Sequence, residues 1–196
     1  QHLDYPFCLI ASLVLGGMLF TSACSIPQPM PAASPGFDVE HYDLALALDP
    51  ATGALQGQAA INVRHSGSAM VLPLMFEGLQ VGEVRVNEAL VQPGVRPGGL
   101  DVPLPDGRSA SVVEISYQGV PAQGLYREEY EGQEVVFTDS WPDRGRGWFP
   151  GVHHPSDPAT LTLTLDLPRG YEAVGSGAPA APEQLGANTR YRWTLN

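Results

Sequence analysis

The sequence of 196 residues contains no lysine, and all ten of its basic side chains are arginine. Its 21 acidic side chains give a formal net charge of −11. This balance repels phosphate backbones, so no nucleic-acid partner is expected. The absence of lysine extends over the whole chain rather than over single sites, and it carries no functional weight.

Cysteine is scarce. Cys8 and Cys24 both lie within or at the edge of an apolar N-terminal run, so the remaining sequence has neither a disulfide framework nor a cysteine-based zinc site. A G-x-S-x-G motif, the commonest cue for a serine hydrolase, is also absent, as is a Gly-rich phosphate loop. We therefore predict no catalytic residue, no metal ligand and no cofactor in this chain.

The apolar run from Phe7 to Ala23 contains no charge. It is short for a membrane span and typical of a signal peptide, so residues 1–24 are predicted to direct export. Cys24 directly follows Ser-Ala, which resembles the lipobox of bacterial lipoproteins and implies lipid attachment and a membrane anchor. An ordinary signal peptide with an incidental cysteine is the alternative. The first residues are not basic and do not begin with Met, so we expect the translation start to lie elsewhere.

Residues 25–36 contain four prolines and are predicted to form an extended linker. Residues 37–196 contain about ten short strand-like runs bounded by Gly, Pro, Asp or Asn, which predicts an all-β domain of antiparallel sheets shaped as a saddle or sandwich. In the first run, Phe37, Val39 and His41 should share one face, opposite Tyr42. In a later run, leucines 161, 163, 165 and 167 should form a buried face opposite residues 162, 164 and 166.

The segment from Phe137 to Thr160 is unusual in composition. It contains two Trp, two His, two Arg, three Asp and four Pro. Segments of this kind tend to carry function, because they display polar and aromatic groups while proline restricts the backbone.

Residues 138–150 read TDSWPDRGRGWFP, and HPSD follows at 154–157 with AT at 159–160. This spacing resembles, without a gap, the bacterial hallmark DNWPxRARxWxPxxDHPSDKA of aminopeptidase N type (gluzincin) zinc metallopeptidases. HYDL at 41–44, LQG at 55–57 and GLY at 124–126 resemble further motifs of the same family. The resemblance covers most of residues 37–196 and implies the N-terminal β domain of such an enzyme.

The resemblance implies that this domain caps a catalytic domain, which holds zinc through HExxH and removes N-terminal residues from peptides. HExxH and the GxMEN exopeptidase motif are absent from the sequence. The domain is therefore expected to be incomplete at its C-terminal end and inactive alone. In the wider family, a T-Q-x-E-P pattern helps bind the substrate's free α-amino group. Gapless alignment places Asp139 at the Gln and Trp141 at the Glu.

Trp141 cannot replace a carboxylate, but residues 139 and 141 of an extended strand point to the same side. Asp139 is therefore predicted to bind the substrate's amino group, with Trp141 as a wall of the first side-chain pocket. The alternative is that Asp139 caps a turn. Four further positions depart from the bacterial pattern: Ser140 for Asn, Gly145 for Ala, His153 for Asp and Pro158 for Lys.

Other residues of the segment have structural interpretations. Arg144 and Arg146 are expected to pair with Asp143 and Asp157, as surface pairs that contribute little to stability. His153 and His154 are adjacent and would face opposite ways, which disfavours a zinc site. Residues 141, 148 and 149 are expected to be core or interface aromatics.

Two hypotheses of function follow. The chain is the substrate-capping domain, or a truncated fragment, of a zinc aminopeptidase whose partners are peptides with a free N-terminus. Alternatively, it is a stand-alone exported lipoprotein that uses the β scaffold to bind peptides or a protein. An HExxH motif encoded downstream would favour the first hypothesis.

Overall fold

A computed structural model describes residues 36–66, 71–105 and 107–196. The predicted signal peptide, the predicted lipid-attachment residue Cys24 and the predicted linker apart from Gly36 lie outside these ranges. Within these ranges, fourteen strands and one 3₁₀ turn account for the regular structure. The strands are β1 Phe37–Asp49, β2 Ala54–His65, β3 Val71–Met75, β4 Gln80–Val86, β5 Ala89–Val91, β6 Gly94–Arg96, β7 Gly99–Pro103, β8 Ala110–Gly119, β9 Leu125–Tyr130, β10 Gln133–Thr138, β11 Thr160–Pro168, β12 Ala178–Pro179, β13 Glu183–Leu185 and β14 Asn188–Leu195.

The described strands form three sheets. The large sheet has nine strands in the order β12-β14-β11-β1-β2-β8-β4-β5, with β13 added beside β14. The small sheet is β3-β7-β6, and β9 and β10 form a separate hairpin. The prediction of an all-β fold is confirmed. Strands β1 and β11 pair in parallel, in contrast to the antiparallel pairing expected from the sequence.

One hydrophobic core lies between the large and small sheets. Leu44, Ile61 and Ile115 from the large sheet pack in the same cluster as Leu72 and Leu100 from the small sheet. All five are essentially inaccessible to solvent. Burial of each such side chain contributes about 1.5–3 kcal/mol, so the contact between the two sheets stabilises the domain. No helix in the described ranges is long and apolar enough to cross a membrane.

Strand β1 contains a bulge that changes the predicted faces. Its register against β2 shifts between Val39 and His41, so one extra residue is accommodated there. Val39 is buried before the shift and Leu44 after it, although the two positions differ in parity. The prediction that Tyr42 lies opposite Val39 is therefore wrong, because a bulge exchanges the faces that strict alternation assigns.

The predicted leucine face of β11 is only partly buried. Leu167 is buried, whereas Leu161, Leu163 and Leu165 are half-buried, and Thr162 on the other face is 6% exposed. Strand β11 contributes only Leu167 to the buried core cluster, whereas β1 and β2 contribute eight residues. Thr162 is flanked by both neighbouring strands, opposite Asp43 of β1 and Thr194 of β14.

Candidate functional site

The hairpin of β9 and β10 leads directly into residues 138–160, which we call the hallmark segment. Leu125 on one side of the hairpin is buried, and Glu134 on the same side accepts hydrogen bonds from Arg127 at 2.5 Å and from the Tyr171 hydroxyl at 3.2 Å. These contacts lower the pKa of the Glu134 carboxyl, the hydrogen bond from Arg127 most of all. The hairpin is thereby fixed to the body of the domain.

The opposite side of the hairpin is open to solvent. Phe137 pairs with the Tyr126 ring across the two strands, with centroids 5.7 Å apart. Val135 and Tyr130 continue this row towards the tip, and Phe137, Val135 and Tyr130 are all exposed. This row of residues 126, 130, 135 and 137 is the outward face of the hairpin.

Strand β10 ends at Thr138, which corrects the geometry expected for residues 139 and 141. Asp139 follows the strand in irregular backbone, and Trp141 lies in a turn. The two side chains do not share a strand face, because the strand has already ended. They are linked instead by a hydrogen bond from the Trp141 backbone N–H to Asp139 Oδ1, 3.1 Å long.

The Asp139 carboxylate has a second partner in Arg144. The Arg144 Nη1 group donates to Asp139 Oδ2 over 2.5 Å. An ionised carboxylate has about four acceptor positions, so two of them remain for another donor. The Asp139 side chain is 44% exposed, which leaves room for a ligand to approach. Asp139 thus caps a turn and also presents an oriented carboxylate to solvent.

Trp141 is the most exposed aromatic residue of the segment, with 79% of its surface accessible. The peptide bond between Trp141 and Pro142 is cis. In the described part of the chain, Trp141 therefore contributes little to the core, in contrast to Trp148, which is 8% exposed. The expectation of a core or interface aromatic holds for Trp148, and Trp141 is available to a ligand or a partner surface.

The 3₁₀ turn Arg144–Gly147 carries the partner of Asp139 and packs tightly on the backbone before β9. A Cβ atom at Gly124 would lie 2.1 Å from the Arg144 carbonyl oxygen, and Gly124 also has a φ of +81°. A Cβ atom at Gly147 would lie 2.3 Å from the Gln123 carbonyl oxygen. The Asp139 N–H donates to the Gly124 carbonyl over 3.0 Å. Only glycine satisfies position 124, because both its φ and its neighbours exclude a side chain.

Aromatic side chains pack between the 3₁₀ turn and strand β1. The rings of Trp148 and Phe149 lie 4.5 Å apart, and Phe149 meets Tyr42 edge to face at 6.0 Å. The Val152 N–H donates to the Tyr42 hydroxyl over 3.0 Å. Burial raises the pKa of Tyr42 to about 12. The Trp148 indole donates to Ser140 Oγ at 3.3 Å, which joins the exposed and buried parts of the segment.

The arginine pairings follow the sequence prediction only in part. Arg146 faces Asp143 at 3.3 Å, as expected, and also faces Glu77 at 3.3 Å. The Arg146 Nε–H is not aligned for a hydrogen bond, although the charges are close. Arg144 pairs with Asp139, a contact that the sequence interpretation missed, although the (i, i+5) spacing across a turn was available as a signal.

Among the described residues, Asp157 pairs with no arginine. Its Oδ1 accepts the Val39 N–H at 3.2 Å, beside the bulge of β1. Burial raises the pKa of the Asp157 carboxyl, and this hydrogen bond opposes the shift. Thr160 Oγ1 donates to the Glu40 carbonyl at 3.0 Å and accepts the His41 Nδ1–H at 2.6 Å. The end of the hallmark segment therefore stabilises the bulge, and Thr160 contacts His41 of the HYDL motif.

The two adjacent histidines do not form a metal site. The His153 Nε2–H donates to the Phe149 carbonyl at 3.1 Å, and His154 Nδ1 accepts the Ser156 N–H at 3.2 Å. In the described ranges, no three His, Cys, Asp or Glu side chains come together in a manner suited to a metal ion. The residues present do not fit zinc, so no step of any reaction is assigned to a metal in this domain.

A surface depression of about 500 Å³ lies on the outer face of the large sheet. It is lined mainly by small and amide side chains, including Ala45, Gln58 and Gln118, and neither Asp139 nor Trp141 contributes to it. A solvated polar sheet face accounts for these features. The oriented carboxylate of Asp139 beside an exposed indole remains the better candidate, because this pair suits a cationic group near an apolar one.

A comparison with models of protein families agrees with the fold and the segment described above. The model of the Peptidase M1 N-terminal domain matches residues 38–194. The match includes the hairpin, the hallmark segment and strand β14 as far as Thr194. Because it spans most of the sequence, the chain belongs to this family.

Solved structures of M1 zinc metallopeptidases share the fold. A two-domain M1 enzyme bound to L-tryptophan matches with a TM-score of 0.74 and 24% identity, over 84% of this chain and 40% of its own. An M1 zinc metallopeptidase from Deinococcus radiodurans matches with a TM-score of 0.72 and 25% identity, over 81% and 39%. A substituted form of the metallopeptidase from that organism, bound to a Tyr-Ser-Ala substrate, matches with a TM-score of 0.72 and 25% identity, over 82% and 39%. This chain therefore spans about two fifths of the length of these enzymes.

Proposed function

We propose that this domain forms the substrate-capping front of a zinc-dependent aminopeptidase. The observation that carries the proposal is the match of residues 38–194 to the Peptidase M1 N-terminal domain. In this proposal, zinc and the hydrolytic groups belong to a catalytic domain that this domain covers. The β domain contributes recognition of the peptide's N-terminal end.

Asp139 binds the substrate's α-ammonium group in this proposal. The geometry supports the role, because the Arg144 guanidinium and the Trp141 N–H hold the carboxylate in one orientation and leave acceptor positions free. An ammonium group requires a charged acceptor when it leaves water. Trp141, exposed beside the carboxylate, forms a wall for the first side chain of the peptide.

The test uses the complete enzyme that carries this domain, with Asp139→Asn. The amide oxygen of Asn can still accept the Trp141 N–H and preserve the turn, so the variant removes the charge rather than the cap. Loss of one charged hydrogen bond, about 1.5–3 kcal/mol, predicts a rise of about 10- to 100-fold in KM for peptides with a free amino group. The control is Asp143→Asn. It also removes one carboxylate from this segment, but the Asp143 carboxylate pairs with Arg146 and not with Arg144. An unchanged KM in Asp139→Asn rejects the role of Asp139.

A stand-alone peptide-binding role is the second candidate. It is favoured by the exposed outward face of the hairpin, where Tyr130 is 68% accessible. Calorimetry on this chain alone distinguishes the two. Micromolar binding of free-amino peptides without a catalytic domain supports the binding module, and its absence supports a role inside the complete enzyme.

We propose further that the protein is exported and anchored to a membrane through a lipid on Cys24. The support is the Ser-Ala-Cys sequence after an uncharged apolar run. In bacterial cells, labelled palmitate should be incorporated into the wild-type protein and not into Cys24→Ser. The matched control is Cys8→Ser, because Cys8 is the other cysteine of the sequence. Equal labelling of both variants contradicts lipid attachment at Cys24.

A further inference from the structure

The half-buried imidazole of His153 packs against the backbone of two glycines and the ring of Phe149. A Cβ atom at Gly145 would lie 2.8 Å from its Cε1 and 2.9 Å from its Nδ1, and a Cβ atom at Gly151 would lie 3.1 Å from its Nε2. The Phe149 ring meets it edge to face at 4.5 Å. His153 itself has a φ of +48°, an uncommon conformation for a residue with a side chain. The ring thus fills a slot between two glycines.

The contact with Gly145 explains two departures from the bacterial hallmark together. The pattern has Ala at position 145 and Asp at position 153, whereas this chain has Gly and His. The imidazole occupies the space that an alanine methyl would need, at a distance that Cβ atoms do not tolerate. Gly145 and His153 therefore form one packing unit.

Gly145 lies at the centre of the turn that orients Asp139. Its carbonyl accepts the N–H groups of Trp148 at 3.0 Å and Phe149 at 3.2 Å, which closes the turn. Arg144, the preceding residue, donates to Asp139. Any shift of Gly145 moves the backbone of Arg144 and with it the guanidinium that orients the carboxylate.

We propose that His153 is a positioning residue for substrate binding: its ring supports Gly145 and so holds Arg144 against Asp139. This inference rests on the proposed role of Asp139. His153 does not touch the peptide, and it acts through the 3₁₀ turn.

The neutral form of the ring is the one that fits the slot. Its Nε2–H is committed to the Phe149 carbonyl, and the charged groups that face it are Arg146 and Asp143 of the same turn. Arg146 is also paired with Glu77, at the end of the small sheet, and the phenol of Tyr42 packs on Phe149 from β1. Burial lowers the pKa of His153 and Arg146 acts in the same direction, whereas the hydrogen bond to the Phe149 carbonyl and the Asp143 carboxylate oppose the shift without reversing it. Protonation in acid therefore disfavours the packed position.

The first experiment compares His153→Gln with wild type in the complete enzyme. We expect KM for a free-amino peptide to rise about three- to tenfold at neutral pH, as for loss of one ordinary hydrogen bond, with kcat unchanged. The ratio of the two KM values should fall towards one as the pH falls through the lowered pKa of His153, because protonation releases the wild-type ring and leaves Gln unaffected. His154→Gln is the matched control, since the neighbouring ring contacts Ser156 rather than the turn.

The second experiment is a double-variant cycle on the same contact. Gly145→Ala should raise KM and lower the unfolding midpoint, because the methyl group collides with the ring. Gly145→Ala combined with His153→Ala should recover much of both losses, since the ring that blocks the methyl group is gone. Additive effects of the two substitutions contradict the packing unit and overturn the inference.

The outcomes separate this inference from the proposed function. A raised KM in both Asp139→Asn and His153→Gln, with coupling between positions 145 and 153, supports the inference. A raised KM in Asp139→Asn alone overturns the inference and leaves the role of Asp139 intact. Wild-type KM in both variants rejects the role of Asp139 and the inference with it. A raised KM in His153→Gln alone also overturns the inference, because His153 would then act through another group.

Discussion

Residues 139–143 and 144–153 are adjacent in one segment, yet they differ sharply in burial. The first part carries the half-exposed Asp139 and the exposed Trp141. The second part contains the buried Trp148 and the half-buried His153, whose ring packs on Gly145. The outer part carries the side chains that we propose to bind substrate, and the inner part holds those side chains in position. Substitutions in the inner part should therefore change stability, and those in the outer part should change binding alone.

Trp148→Ala should have the largest effect on stability. The indole is buried against Phe149 and bonded to Ser140, and its removal leaves a cavity under the turn. We expect a loss of about 3–5 kcal/mol in the free energy of unfolding, measured by urea denaturation. A loss below about 1 kcal/mol would mean that the inner part does not belong to the core.

Gly124→Ala should have the next largest effect. A methyl group there collides with the Arg144 carbonyl, and the residue would also hold a positive φ. We expect a loss of more than about 2 kcal/mol, because neither the backbone atom nor the φ can adapt cheaply. Gly132→Ala is the control, with a φ of +78° but no atom near the added methyl group. A clearly smaller loss in Gly132→Ala would show that the collision, rather than the positive φ, causes most of the destabilisation in Gly124→Ala.

The pH dependence of stability should separate the two parts further. Burial lowers the pKa of His153 in the folded chain, so the unfolded chain binds a proton that the folded chain excludes. The stabilisation from neutral His153 is complete above about pH 6.5 and is lost as the pH falls towards the folded-state pKa. In urea denaturation from pH 7 to pH 5, the advantage of wild type over His153→Gln should shrink. An advantage that grows in acid would contradict a lowered pKa.

Trp141→Ala should have the smallest effect on stability. The side chain is 79% exposed, so we expect a change within about 0.5 kcal/mol in the free energy of unfolding. In the complete enzyme, the same variant should alter the preference among peptides that differ in their first side chain, measured as ratios of kcat/KM. A destabilisation similar to that of Trp148→Ala would remove the distinction between the two parts.

The all-β fold could be predicted from the sequence because alternation and turn residues act locally. Two local predictions failed for non-local reasons. The bulge in β1 depends on Asp157 and Thr160, which reach it from the far end of the hallmark segment. The faces of β11 depend on which sheet covers them, and no property of the leucines themselves indicates that.

The spacing of the hallmark motif predicted where the candidate site lies in the sequence, but it did not predict the contacts between the residues of the site. Alternation suggested that residues 139 and 141 share a side, whereas the strand ends at Thr138 and a backbone hydrogen bond joins them. The pair of Asp139 with Arg144 required knowledge of the turn, which depends on close backbone contacts at Gly124 and Gly147. Single residue types gave no sign of the contact between Gly145 and His153, since it depends on the space between them.

The parallel pairing of β1 with β11 also constrains how the chain folds. His41 and Thr160, neighbours in this pairing, are 119 residues apart in sequence. Until β11 has emerged during synthesis or export, β1 has a free edge in the middle of the future sheet. Pairing over so long a separation is slow, because closing the loop costs entropy before contacts form. The two halves of the large sheet on either side of this pairing can therefore join only after the hallmark segment has emerged, and β12 to β14 complete the sheet beyond β11.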